Sequence, residues 1–225
     1  MDGRISSDEM VSRQLEARGI RDPAVLAAMR TVPRELFVPQ ELIARAHDDT
    51  PLPIGAEQTI SQPYIVARML EAAELGPTAR VLDVGTGSGY AAAVTAELAM
   101  HVVSIERIPE LADAAARRLR SLGYAGITVL VGDGTLGAPE HAPFDAIIAA
   151  AAGPDIPPAW VAQLAPHGRI VLPIEAASGH QELIVASVGD GGSLIRRSLG
   201  AVLFVPLIGD AGLRRRRPGR RHRRG

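Results

Sequence analysis

A chain of 225 residues with 47% hydrophobic content and no cysteine suits one domain with an extension and is too apolar to be disordered. Without cysteine there can be no disulfide scaffold, thiolate metal site or cysteine nucleophile. The formal net charge of −1 hides an uneven distribution: eight arginines lie between Arg214 and Arg224 and no acid follows Asp210, so residues 1–213 carry 16 basic against 25 acidic side chains, a net of −9.

Residues 7–31 read as helical, with Ser7 as a candidate cap and Val11, Leu15, Val25, Leu26 and Met29 at helix-like spacing. Asp22 and Pro23 form a cap and first-turn pair for a second helix there. Pro33, Pro39, Pro51, Pro53 and Pro63 then break every period, so 32–64 is expected to be an ordered, packed loop with short helical pieces. Tyr64–Leu75 resumes a helix. From Arg80 the pattern alternates: strand 80–84, helix 90–99, strand 101–105, helix 109–122, strands 127–131 and 144–149, helix 158–164 and strand 169–173. Alternation of this kind implies right-handed crossovers and a parallel sheet covered on both faces. Segments 183–188, 193–199 and 201–205 follow too closely for crossovers and are expected to be antiparallel strands. The fold class is therefore α/β: a doubly wound, mostly parallel Rossmann-like sheet with an N-terminal helical and loop extension and C-terminal antiparallel strands. The expected division is 1–78 for the helical and loop region, 79–213 for the sheet core, and 214–225 for a disordered arginine tail. No run approaches the ~20 apolar residues of a membrane span, and the polar, acidic start MDGRISSDEM does not resemble a targeting peptide. A cytoplasmic protein without membrane contact is expected, and a monomer.

Two segments carry the chemistry. The first is Asp83-Val84-Gly85-Thr86-Gly87-Ser88-Gly89-Tyr90, where a buried strand runs into a glycine loop at a helix start. A tight structural turn would use the same residues, but the loop also lets a ligand approach the backbone. Its G-x-G-x-G spacing misses the G-x-G-x-x-G of dinucleotide sites and, with Asp83 at the strand end, disfavours a dinucleotide. Glu106 closes the next strand, where a carboxylate can accept hydrogen bonds from paired ribose hydroxyls. Asp133 and Gly134 follow the third. Acids at the C-terminal ends of successive parallel strands mark the ligand-binding edge of such sheets.

The second segment is Gln58-Thr59-Ile60-Ser61-Gln62-Pro63, a dense set of neutral hydrogen-bonding groups. Ser61 or Thr59 could simply cap the helix starting near Pro63. The six histidines show no metal-ligand spacing, so no metal is expected, and no G-x-S-x-G elbow supports a hydrolase.

The glycine motif resembles the first motif of class I S-adenosylmethionine-dependent methyltransferases. Arg30–Pro39, Gln58–Pro63, Asp83–Tyr90, Val103–Arg107, Gly132–Gly134, Ala142–Asp145 and Phe204–Leu207, in that order, resemble the protein-L-isoaspartate O-methyltransferases. That resemblance spans roughly residues 8–209 and implies a methyltransferase sheet with S-adenosyl-L-methionine as cofactor. Asp83, Gly85, Thr86, Gly87, Ser88, Gly89, Glu106, Asp133 and Gly134 are the implied cofactor-binding residues. It further implies methyl transfer to the free α-carboxylate of L-isoaspartyl residues in damaged proteins, the ester then cyclising to succinimide without the enzyme. Ser61 is the implied catalytic residue, supported by Thr59, with Gln58, Ile60, Ser61, Val205, Pro206 and Leu207 binding the substrate. Isoaspartyl proteins and peptides are the expected partners. The alternative is another carboxylate or small-molecule acceptor for the same methyl donor. Nucleic acid is not expected as a partner beyond nonspecific contact by the arginine tail. One departure stands out: the family usually has glycine where this chain has Glu57, which matters if that position needs a positive φ.

Overall fold

The computed structural model describes residues 5–189 and 193–213. The expectation for the arginine tail falls outside them. Ser6, not Ser7, caps the first helical segment: its hydroxyl accepts from the Glu9 N–H while the Glu9 carboxylate accepts from the Ser6 N–H. That segment is short. Helix α1 (Ser7–Glu9) passes into a π-helical stretch (Met10–Leu15) and a 3₁₀ turn (Glu16–Arg18), and Gly19 at φ 97° stops it. Helix α2 (Pro23–Thr31) begins as expected, with the Asp22 carboxylate accepting from the Ala24 and Val25 N–H groups. Two 3₁₀ turns follow (Arg34–Phe37 and Gln40–Arg45).

The segment expected to be loop then departs from the sequence reading. Strands β1 (Leu52–Gly55) and β2 (Gln58–Ile60) pair antiparallel as a hairpin. Pro53 fits because this two-stranded sheet has only edges, and an edge strand tolerates a missing N–H. Ala56 and Glu57 form its turn at φ 49° and 59°, the pair of positive angles a tight hairpin twist demands. Helix α3 (Pro63–Ala73) follows.

Strand β3 (Arg80–Val84), helix α4 (Tyr90–Ala96), β4 (His101–Glu106), helix α5 (Pro109–Ser121), β5 (Thr128–Val131) and β6 (Phe144–Ala149) come next. Helix α6 (Pro158–Ala162), β7 (Leu164–Glu175), β8 (Gln181–Val188) and β9 (Leu194–Val202) complete the chain. The sheet order is β5-β4-β3-β6-β7-β8-β9, parallel from β5 to β7 and antiparallel thereafter. Strand β7 starts earlier than expected because Leu164 already pairs with Phe144, which also ends α6 sooner. The two strands expected over 193–199 and 201–205 are one, β9, carried through Gly200 at φ 110°, with a register shift against Glu182 and Ile184 of β8.

Alternation along β3 divides its side chains between the two faces. Val81 joins the core under α3 and α4 with Met10, Met29, Val66, Leu70 and Tyr90. Leu82 and Val84 join the opposite core with Ile105, Ile147, Trp160 and Leu207. The N-terminal region thus shares one continuous core with the sheet. Chain order leaves β3 in one direction through β4 and β5 and in the other through β6 and β7. The reversal between β3 and β6 opens the crevice where such sheets bind ligands. Among the described residues no helix is long and apolar enough to cross a membrane.

Candidate active site

The loop after β3 is built around its backbone. Gly87 at φ 52° has a backbone conformation that side chains rarely adopt, and a Cβ there would make a tight 3.2 Å contact with Ile54 Cδ1. The Gly87 N–H donates to Glu106 Oε2 at 2.9 Å, and the Gly85 and Thr86 N–H groups donate to the Ile105 carbonyl. Gly89 caps α4 at φ 90° and packs on Leu119. The Thr86 hydroxyl bonds Ser104 Oγ at 2.6 Å, and Ser104 Oγ donates to Asp83 Oδ2 at 2.6 Å. Thr86 and Ser88 are both buried. The Ser88 carbonyl accepts from Arg118 Nη1 at 2.7 Å. The sequence reading missed Ser104. Its role depends on β3 and β4 placing Asp83 opposite it, and parallel register cannot be read from one strand.

The three acids have different surroundings. Asp83 is 2% exposed. Burial pushes its pKa up to about 6, against the lowering effect of the Ser104 hydroxyl, with the Glu106 charge adding to the rise. It borders a pocket shared with Ser61, Val66 and Ala150. Glu106 accepts from the Gly87 and Ile108 N–H groups, one on each oxygen, which leaves lone pairs on both for a ligand's hydroxyls. Asp133 has another task. Burial opposes its charge, but donation from the Asp210 N–H and from the Thr135 hydroxyl and N–H prevails and holds it below the ordinary carboxylate range. Its oxygens thereby cap the 3₁₀ turn Gly134–Leu136 and tie down Asp210. Gly134, not the Asp133 side chain, lines the cleft. A Cβ on Gly134 would lie 2.4 Å from Val84 Cγ1.

A cleft of about 560 Å³ opens at the C-terminal edge of β3, β4 and β6. Its floor is Val84, Gly85, Gly87, Ile105, Glu106 and Gly134, and its walls are Gln58 and Thr59 on one side and Val205, Pro206 and Leu207 on the other. Segments more than a hundred residues apart thus meet over the glycine loop. The 205–207 wall is held by backbone and by Leu207 in the core: the Ala152 N–H donates to the Val205 carbonyl and the Leu207 N–H to the Ala152 carbonyl, both at 2.8 Å. Ala150, Ala151, Arg107 and Ile208 also line this cleft. Nothing in their residue types singles them out.

Ser61 lies in an adjoining pocket of about 290 Å³, shared with Thr59, Gly85, Gly87 and Ser88. The capping role open to Ser61 and Thr59 is not the one observed. Gln62 is the N-cap of α3, and no side chain caps that helix. Among the described residues, neither hydroxyl has a hydrogen-bond partner within the protein. Ile60 differs from its neighbours, with its side chain 4% exposed in the core, so only its backbone can face a ligand. Glu57 is exposed at the hairpin tip, and its φ of 59° is the positive angle at which glycine would be unstrained.

The model of the protein-L-isoaspartate(D-aspartate) O-methyltransferase family matches residues 6–212. The chain belongs to that family. The isoaspartate O-methyltransferase of Pelobacter propionicus numbered 2 is 54% identical over 203 residues, 90% of each chain. That of Rhodopseudomonas palustris is 51% identical over 212 residues, covering 94% of this chain and 97% of its own. Among solved structures, a protein-L-isoaspartate O-methyltransferase superposes with a TM-score of 0.84 at 28% identity, over 92% of this chain and 67% of that one. A Plasmodium falciparum protein assigned to the same family, in complex with S-adenosyl-L-homocysteine, gives 0.77 at 25% identity, over 91% and 99%. The expected methyltransferase sheet is therefore the observed one. Membership in the isoaspartate methyltransferases makes the chain an S-adenosyl-L-methionine-dependent protein carboxyl O-methyltransferase.

Proposed function

We propose that this chain repairs damaged proteins by moving the methyl group of S-adenosyl-L-methionine to the free α-carboxylate of L-isoaspartyl residues. One observation carries the reading: two hydroxyls without internal partners among the described residues stand over the glycine loop, Thr59 in the cleft walled by residues 205–207 and Ser61 in the pocket that adjoins it. The residues fit the methyl donor. Asp83 is a buried carboxyl group that accepts from the Ser104 hydroxyl and, among the described residues, has no arginine paired to it, so a cationic ligand end supplies the missing charge. Glu106 keeps lone pairs for ribose hydroxyls, and the bare backbone of Gly134 gives a flat surface for the adenine. When bound, S-adenosyl-L-methionine supplies an electrophilic methyl group.

The remaining chemistry belongs to the chain. An acceptor carboxylate with a pKa near ~3.9 is already ionised at neutral pH, so the site needs no general base. The Ser61 hydroxyl donates to one carboxylate oxygen and leaves the other free to receive the methyl group. Thr59 supports that geometry. Gln58, the Ile60 backbone and residues Val205, Pro206 and Leu207 hold the peptide main chain. Negative charge on the acceptor disappears as the ester forms, so a neutral hydroxyl suits this place better than a cation, which would favour the ground state. Alignment supplies most of the acceleration. The product is a carboxyl ester. Label transferred from the donor is expected to leave as methanol in mild base, and base-stable label would point to another acceptor.

A monomer is proposed, to be checked by sedimentation at assay concentration. The proposed compartment is the cytoplasm. The eight arginines of 214–225 lie beyond the family match and are proposed to attract polyanions without sequence preference.

A further inference from the structure

The isoaspartate reading leaves one costly feature unused. Arg34 is 0% exposed, and a buried guanidinium is ordinarily paired with a carboxylate. This one is not. Asp49, whose field reaches it, is paired with Arg18. Arg34 Nε donates instead to the Ala46 carbonyl at 2.7 Å and Nη2 to the Ser61 carbonyl at 2.9 Å. Its plane lies over the Tyr90 ring, 4.7 Å from the centroid. Tyr90 is the first residue of α4, directly after the glycine loop, and its ring is locked edge-on against Phe37. Two residues, Ser61 and Gln62, separate β2 from α3, and no side chain caps α3. The Arg34 guanidinium is the side-chain anchor recorded for this link.

One planar cation therefore touches both halves of the reaction centre, the link bearing the acceptor-side hydroxyl and the first turn after the donor loop. We infer that Arg34 is a positioning residue that sets where the Ser61 hydroxyl stands relative to the glycine loop. The inference rests on the isoaspartate reading of Ser61. A guanidinium can bond two carbonyls in fixed directions while stacking on a ring, whereas an ammonium is a point charge without a plane. Arg34→Lys keeps the charge and loses the fork. Misplacement by about 1 Å can cost on the order of 10²-fold in rate.

The test is a double-mutant cycle on the full chain with an isoaspartyl peptide, using Arg34→Lys, Ser61→Ala and the pair. Arg34→Lys is expected to lower kcat tenfold or more and to change the S-adenosyl-L-homocysteine Kd, measured by calorimetry, less than about threefold. Because Arg34 acts through Ser61, adding Ser61→Ala to Arg34→Lys should lower kcat less than about threefold further, where independent effects would multiply. Tyr90→Leu, which removes the ring beneath the guanidinium together with the hydroxyl bond to Met29 Sδ and the contact with Phe37, should give a smaller kcat loss with the same dependence on Ser61. Multiplicative losses, an equal fall in homocysteine-product affinity, or an unchanged kcat in Arg34→Lys would each overturn the inference. Failure of both Arg34→Lys and Tyr90→Leu to fold with that ligand bound would assign the guanidinium to stability and overturn it too. A wild-type chain that does not methylate the isoaspartyl peptide sinks the underlying reading instead, so the two failures are distinguishable.

Discussion

Asp83 shows at the scale of one residue how a ligand site is held ready at a cost. Its carboxyl titrates near 3.8 when unfolded and at about 6 in the fold, raised first by burial. Between those values the folded chain holds the extra proton, so stability falls as pH rises from about 4 to about 6. Asp83→Asn cannot ionise and should remove that slope, read as unfolding midpoints of the ligand-free protein between pH 4 and 7.5. Binding reverses the preference, because a cationic ligand favours the ionised form. Affinity for S-adenosyl-L-methionine should therefore weaken below about pH 6 in the wild type, and calorimetry of Asp83→Asn should give weaker binding with no such pH dependence. Ser61 makes the complementary prediction on the acceptor side. Ser61→Ala should lower kcat about tenfold or more, because the acceptor oxygen is no longer held in line with the methyl group, while leaving donor affinity near wild type. Parallel loss of donor binding would move Ser61 out of its assigned role.

Among the elements, the β1–β2 hairpin departs most from the sequence reading. Strands β3, β4 and β6 are legible because Val81–Val84, Val102–Ile105 and Ala146–Ala149 are buried nearly throughout and read as apolar runs broken only by Asp83 and Ser104. The hairpin is not, since four-residue and three-residue strands holding Pro53 lack the β-rich run that marks a strand and look like loop. Its turn explains the departure at Glu57. A side chain in the left-handed region costs about 1–2 kcal/mol relative to glycine, and Glu57 is exposed, with nothing in the structure to offset it. Glu57→Gly should raise stability by about 1 kcal/mol, seen as a rise of about 2–4 °C in Tm. A fall would mean that the carboxylate contributes something here beyond strain. The acids at the strand ends were legible as a set, but their tasks were not. Whether Asp133 faces a ligand or ties down Asp210 depends on a contact between residues 77 positions apart. Likewise the role of Ser104 rests on strand register, and that of Arg34 on three segments meeting. Gly134→Ala makes a sharper element-scale prediction. Its Cβ would strike Val84, so donor affinity should fall about tenfold or more, one of the larger effects expected of a single added carbon in a packed site.

In the whole molecule, the net charge of −1 is the sum of an acidic body and an arginine tail, and the family match ends at residue 212. Deleting 214–225 should leave kcat and Tm within error. It should also remove any retention on nucleic acid, whose salt dependence in the full chain would have a slope of log K against log salt of up to about −7 for eight arginines. A truncated chain without activity would bring the tail into the catalytic unit. The fold, glycine loop and cleft floor serve any methyl transfer, whereas the partner-free hydroxyls of Thr59 and Ser61 are assigned to one carboxylate. Labelled methyl transfer to an isoaspartyl peptide beside its aspartyl twin of the same sequence measures that directly. Incorporation into the isoaspartyl peptide alone is predicted; equal labelling of both peptides, or of neither, would contradict the account.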